Sequence, residues 1–168
     1  MIRPIFKSFM IVFLLAIIIR AEARDYRYHT VFIYNFTKYI EWPAQTSEIK
    51  IGVVTKDQSI LKEFQKMADI KSTQGKKITI KQFSSGSSVN DVHMVFIPES
   101  SSNQLDGVVQ KVGGQPVLIV TEKTGLIRKG AGINLIFVND RLNIELNRKT
   151  VQDAGLKVSS HLLSLAIL

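Results

Sequence analysis

The sequence contains no cysteine and only three histidines and four prolines among its 168 residues. The absence of cysteine excludes disulfides, thiolate metal sites, iron–sulfur clusters and thiol nucleophiles. Glycine is also sparse, and 45% of the residues are hydrophobic, which excludes a low-complexity or intrinsically disordered chain. We expect one globular domain with a substantial core and at most a short additional segment.

Residues 1–23 have the pattern of a secretory signal peptide. Two basic residues precede an apolar run at 9–19, and a small-x-small motif follows, so we predict cleavage after Ala23 and a mature domain over 24–168. The alternative is an uncleaved anchor, but the run is shorter than the roughly 20 apolar residues that span a bilayer. Export without cysteine indicates a bacterial periplasm, with no membrane span after cleavage.

The chain is basic, with a formal net charge of +8 at pH 7, and removal of the first 23 residues leaves it basic. Its lysines are scattered or paired and form no long block, so we expect no nucleic-acid partner. A solvated basic face explains this charge, and a mild attraction to an anionic membrane surface or an acidic partner is the alternative.

Hydrophobic periodicity alternates between helix and strand through the first two thirds of the mature chain. The pattern predicts a helix at 25–41 that Trp42 and Pro43 stop, and a helix that Asp57 caps. It also predicts a helix near 105–112, a flexible surface loop at 84–88, and buried strands at 49–55, 78–80, 92–97 and 116–120. Continuous apolar strands separated by amphipathic helices predict an α/β domain whose mostly parallel sheet is covered by helices on both faces.

The last third departs from this alternation. Strands at 133–138 and 142–146 are separated by three residues, which predicts an antiparallel hairpin. Asn134 then lies opposite Glu145, and we interpret Glu145 first as a cross-strand hydrogen-bond partner that fixes the register. Asn147 caps a short helix, and a last apolar helix is expected over 158–166.

The residues that carry common chemistries do not assemble into a site. The glycines near Gly130 lack the third glycine of a dinucleotide fingerprint, and Gly75 lacks the upstream glycine of a phosphate loop. The three histidines lie on different predicted elements, and Ser159, Ser160 and His161 are adjacent in a predicted helix, where neighbours do not face each other. We therefore predict no catalytic residue, no metal, no cofactor and no enzymatic activity. Trp42 is interpreted as a core residue at a helix end, and the alternative is a platform for a ligand.

Several motifs resemble the YfiR family of small periplasmic repressor proteins. They are FIYNFTKYIEWP at 32–43, GINL at 132–135, IELN at 144–147, and AGLKVSS at 154–160 with the leucines that follow. The resemblance covers essentially the whole mature chain. It implies an α/β domain and non-enzymatic signalling, in which the protein holds an inner-membrane signalling enzyme, typically a diguanylate cyclase, inactive by binding its periplasmic sensor region. A sensor kinase or an outer-membrane receptor is an alternative target, and a periplasmic small-ligand carrier is the alternative function.

The C-terminal segment is the candidate partner surface. From residue 156 onward only Lys157 is charged, and one helix face cannot bury all the apolar residues. A stripe of Val158, Leu162, Leu165 and Ala166 is predicted to pack on the sheet. Leu163, Ile167 and Leu168 then face outward and contact a partner or a second copy in a homodimer, with Glu145 and Trp42 as further candidates. The alternative is that this end packs into the same core or frays.

Overall fold

The computed structural model describes residues 25–44, 46–72, 75–139 and 141–167. The predicted signal peptide at 1–23 and the candidate Leu168 lie outside these residues. The elements are α1 (Arg27–Tyr39), β1 (Ile40–Glu41), β2 (Glu48–Val54), α2 (Gln58–Ser72), β3 (Lys77–Phe83), β4 (Met94–Ile97), α3 (Leu105–Val112), β5 (Leu118–Thr121), β6 (Ile133–Val138), β7 (Arg141–Leu146), α4 (Arg148–Asp153), β8 (Lys157–Val158), α5 (Ser160–Leu165) and β9 (Ala166–Ile167).

Seven of the strands form one mixed sheet in the order β3-β2-β4-β5-β6-β7-β9. The strands from β3 to β6 run parallel, as expected where helices connect successive strands. β7 pairs antiparallel with β6, which confirms the predicted hairpin, and β9 runs parallel to β7. A separate antiparallel pair joins β1 to β8.

Alternation along the buried strands divides the core into two layers. On one face, residues such as Ile51, Phe96 and Val120 pack with α1 and α2 in a large apolar cluster. On the other face, Val95, Ile97 and Ile119 pack against α3. Helices therefore cover both faces of the central strands, and the predicted α/β class is confirmed.

The serine-rich segment at 84–88, predicted to be a flexible surface loop, is packed. Its residues Gly86–Ser88 form a 3-10 turn, and Gly86 is buried against α3. A Cβ atom on Gly86 would overlap the carbonyl oxygen of Gln104 and lie 2.9 Å from Val108 N. The small residues permit this close approach of two backbones. Ser84, Ser87 and Ser88 are exposed, so the segment is a surface loop as predicted, and Gly86 anchors it to α3.

The predicted last helix over 158–166 is confirmed at its centre, but both of its ends are strands. Val158 pairs with Ile40 in a strand, α5 spans only Ser160–Leu165, and β9 follows. Ser159 starts α5 because its Oγ accepts the N–H of Leu162 at 3.2 Å. The short β1 and β8 were missed because a two-residue strand has no measurable periodicity.

Candidate functional site

A buried histidine and a buried glutamate meet where the first helix begins. His29 lies in α1, Glu122 directly follows β5, and His29 Nε2 is 3.0 Å from Glu122 Oε2, with both side chains 1% exposed. Glu122 Oε1 accepts the hydroxyl of Tyr26 and the backbone N–H of Glu99, each at 2.7 Å. This single carboxylate thus fastens α1 and the segment after β4 to the end of β5.

The charge of Glu122 follows from these contacts. Burial is the largest single influence and opposes ionisation, but the contact with His29, the N–H of Glu99 and the hydroxyl of Tyr26 together outweigh it. The net effect holds the pKa of Glu122 below its ordinary value. Phe96 and Phe137 enclose the imidazole of His29, with ring centroids 6.3 and 6.1 Å away. The cluster is therefore enclosed by protein, and we call it the buried tie because Glu122 links α1, the segment after β4 and the end of β5.

A second polar chain crosses the sheet from β5 to β7. Thr121 Oγ1 donates to Asn134 Oδ1, and Asn134 Nδ2 donates to Glu145 Oε2, each at 2.7 Å. Asn134 lies directly opposite Glu145 in the register, as the sequence predicts. The buried amide is satisfied only in this arrangement, so the chain fixes the hairpin register.

The structure brings two of the candidate partner residues together. Ile167 pairs with Glu145 across β9 and β7, so both side chains lie on the same face of the sheet. Ile167 is 43% exposed. Leu165, two residues earlier, is 54% exposed, and we call these two side chains the C-terminal apolar surface. Phe137 and Val138 at the far end of the hairpin are also exposed, but they are neighbours on β6 and therefore point to opposite faces of the sheet.

Leu163 does not belong to this surface. It is half-buried and packs against the main core, whereas Leu165, which was predicted to pack on the sheet, is 54% exposed. The predicted orientations of these two leucines are wrong because α5 begins at Ser160 and ends at Leu165. Val158, Leu162 and Ala166 contact the main core as predicted, although Val158 lies in β8 and Ala166 in β9, outside the helix.

Trp42 lies at the amino ends of the central strands, away from the hairpin. Its Nε1 donates to the carbonyl oxygen of His93 at 3.0 Å, and the two rings meet edge-on. The Nδ1 of His93 accepts the N–H of Lys50 at 3.0 Å, and burial, followed by the charge of Lys50, lowers the pKa of His93. Trp42 also lines a cavity of about 400 Å³ together with Tyr34 and other residues. The structure therefore separates Trp42 from Glu145 and Ile167.

Two further features of the described residues constrain the chemistry. No group of three or more histidine, aspartate or glutamate residues lies where it could hold a metal ion, within the part of the chain that the structure describes. None of the helices over 25–44, 46–72, 75–139 and 141–167 is long and apolar enough to cross a membrane.

The sequence matches a family model over residues 26–167, and the family is described as YfiR/HmsC-like. The chain belongs to the YfiR/HmsC-like family. The match covers nearly all of the described residues, which agrees with the motifs at 32–43 and 132–160. No curated protein sequence matches this YfiR/HmsC-like chain.

Two solved structures resemble this YfiR/HmsC-like domain in fold. One is an ABC domain from Streptococcus pneumoniae in complex with L-Trp, with a TM-score of 0.53 and 11% identity over 70% of this chain. The other is a conserved domain protein from Vibrio cholerae O1 biovar El Tor, with a TM-score of 0.53 and 9% identity over 83% of this chain. The chain spans 54% and 58% of those two chains, and at these identities the likeness concerns the fold alone.

Sequence reasoning missed the buried tie at Glu122. The residue stands in the polar turn sequence TEKTG, which is typical of a solvated loop. The feature of the sequence that could have indicated a buried polar cluster is the pair Tyr26 and His29, three residues apart at the start of an amphipathic helix. Such a pair indicates a buried partner, but nothing in the sequence identifies that partner as Glu122.

Proposed function

We propose that the chain is an exported periplasmic regulator that binds and represses the sensor region of an inner-membrane signalling protein, typically a diguanylate cyclase. Membership of the YfiR/HmsC-like family supports this proposal. The signal-peptide pattern of residues 1–23 supports the location. In this function the protein acts by binding and catalyses no reaction.

The C-terminal apolar surface is the observation that carries the proposal. Leu165 and Ile167 are 54% and 43% exposed, and they stand two residues apart in the segment that leads into β9 at the edge of the sheet. Exposed apolar clusters on globular domains mark interaction surfaces, because water is released when a partner covers them. Glu145 lies beside Ile167 and supplies a charge that can orient the partner.

The surface is tested by Ile167→Asp and Leu165→Asp in the full chain. Both side chains are exposed, so we expect folded proteins that melt within a few degrees of the wild type. A buried carboxylate at the contact is costly, so capture of the host's diguanylate cyclase by the tagged variant is lost and cellular cyclic di-GMP rises.

Ile70→Asp is the matched control because Ile70 is 50% exposed on α2. It is expected to retain both capture and repression. Leu163→Asp reports on folding instead, since this side chain packs against the core and its replacement destabilises the fold. The proposed surface is wrong if Ile167→Asp and Leu165→Asp both capture the cyclase and repress it as the wild type does.

The alternative function is that of a periplasmic small-ligand carrier or sensor domain. One feature favours it, a polar crevice at the carboxyl ends of the parallel strands. A carrier binds its ligand without the signalling protein, whereas a regulator requires that protein for its effect. The capture experiment therefore separates the two functions.

A further inference from the structure

The parallel part of the sheet changes its winding direction at β2. From β2 the chain crosses to β3 on one side, and from β3 it crosses back over to β4 on the other side. The segments that leave β2 and β4 at their carboxyl ends therefore diverge, and a crevice opens between them. The structure has a cavity of about 400 Å³ at this point, lined by residues 55–57 after β2, Ser84 after β3, and residues within 100–104 after β4.

The side chains that line this crevice are all polar. They come from threonine, lysine, aspartate, serine, asparagine and glutamine residues. Among the described residues, the side chains of Ser84, Ser100 and Asn103 have no hydrogen-bond partner. An apolar wall is absent from the described lining, so the crevice suits a solute that forms several hydrogen bonds.

The walls of the crevice are held in place from outside. Glu122 accepts the N–H of Glu99 at 2.7 Å and so fixes the start of the segment that contains Ser100. Gln104 Oε1 accepts the N–H of Gly86 at 3.0 Å and fixes its end. The hydroxyl and amide groups are therefore presented from anchored backbone, which lowers the entropy cost of binding.

The charged side chains that line the crevice are one cation and one anion, Lys56 and Asp57. Asp57 Oδ1 accepts both the N–H and the hydroxyl of Ser59, at 2.8 and 2.7 Å, and these bonds lower the pKa of Asp57. This carboxylate is thus engaged as the cap of α2. Lys56 beside it forms no ion pair with another described residue.

We propose that this crevice binds a small polar solute through an oxyanion, a carboxylate or a phosphate. The Lys56 ammonium pairs with the oxyanion, and the hydroxyls of Ser84 and Ser100 with the amide of Asn103 donate hydrogen bonds to it or to neighbouring polar groups. Asp57 remains on its helix cap and disfavours a second anionic group on its side of the crevice. This site does not depend on the C-terminal apolar surface or on any protein partner.

The test follows backbone amide chemical shifts of the purified chain during titration with inorganic phosphate and, separately, with succinate. We expect saturable shifts confined to residues 55–57, 84 and 100–104 with at least one of the two probes. Saturation with phosphate alone assigns a phosphate-bearing ligand, and saturation with succinate alone assigns a carboxylate. Lys56→Gln is expected to weaken binding about tenfold, since it removes one charge-assisted hydrogen bond.

Lys66→Gln removes the same charge from an exposed position on α2 outside the crevice and is expected to bind as the wild type does. Ser100→Val, which removes a donor and leaves the charge, is expected to weaken binding less than Lys56→Gln. Melting temperatures confirm that each variant is folded. The proposal is overturned if neither probe gives saturable shifts, if the shifts map elsewhere, or if Lys56→Gln and Lys66→Gln bind equally well. None of these measurements involves the signalling protein, so the outcome is independent of the proposed repression.

Discussion

Two glutamates show which single-residue roles follow from sequence. Glu145 was predicted opposite Asn134 because a hairpin with a short connection fixes its own register, and their side chains are 2.7 Å apart. Glu122 was not predicted, because its contacts with Tyr26, His29 and Glu99 all join segments that are remote in sequence. The local sequence pattern predicts which residues face each other across a hairpin. It does not predict which polar groups from remote segments are buried together.

At the scale of one residue, Glu122→Gln is expected to lower the free energy of unfolding at neutral pH by about 3 kcal/mol, because it removes the charge from a buried, fully engaged carboxylate. The folded-state pKa of Glu122 lies below its ordinary value of 4.5. Its stabilising contribution is therefore present above pH 4.5 and is lost as the pH falls through the folded-state pKa. Urea unfolding of wild type and variant between about pH 3 and 7 measures the effect, and the difference between them shrinks toward the acid end.

The exposed Glu41 provides the control for this series. Glu41→Gln is expected to change the free energy of unfolding by no more than about 0.5 kcal/mol. A Glu122→Gln variant as stable as Glu41→Gln at neutral pH would show that the buried tie contributes nothing to stability.

At the scale of the element, long and strongly patterned segments were predicted well, and short ones were not. The three longest helices and the strands of the central sheet follow the hydrophobic period closely, since each buries one side or both. The pairs β1–β8 and β7–β9 involve two residues per strand and depend on tertiary pairing. Composition predicted the surface loop at 84–88 but not the close packing of its Gly86 against α3.

Gly86→Ala tests that packing. The added methyl group would meet the backbone of Gln104 and Val108, neither of which can move without shifting α3, so we expect a loss of about 2 to 3 kcal/mol in the free energy of unfolding. Gly75→Ala is the matched control, because nothing lies within 4 Å of its added Cβ atom. Thermal unfolding of both variants measures the difference. A flexible loop at 84–88 would instead leave the two variants equally stable.

At the scale of the whole molecule, the α/β class and the family could be predicted because they rest on many residues distributed along the chain. The orientation of the C-terminal residues could not, since it depends on where one short helix begins. Ser159 decides this by capping α5, and a shift of one residue in the helix start would turn Leu163 and Leu165 by about 100°. Of the predicted partner residues, the structure therefore exposes Ile167 and packs Leu163 against the core.

Export is the prediction that belongs to the whole chain. We expect the mature protein to be recovered from a periplasmic extract and to begin at Arg24, because cleavage follows the small-x-small motif. N-terminal sequencing of the extracted protein measures this directly. Recovery of a chain that still begins at Met1 from washed membranes would establish an anchor in place of a cleaved signal.

The pairing of Ile40 with Val158 has a consequence for how the chain reaches its folded form. The first helix leads directly into β1, and its partner β8 follows every strand of the main sheet except β9. Contacts between such remote segments form late and slowly, because the entropy cost of closing a long loop precedes the favourable energy of the contacts. An incomplete chain therefore cannot close its fold around the first helix. In the export that we propose, a translocation channel that passes only extended polypeptide would receive this chain before β1 and β8 have paired.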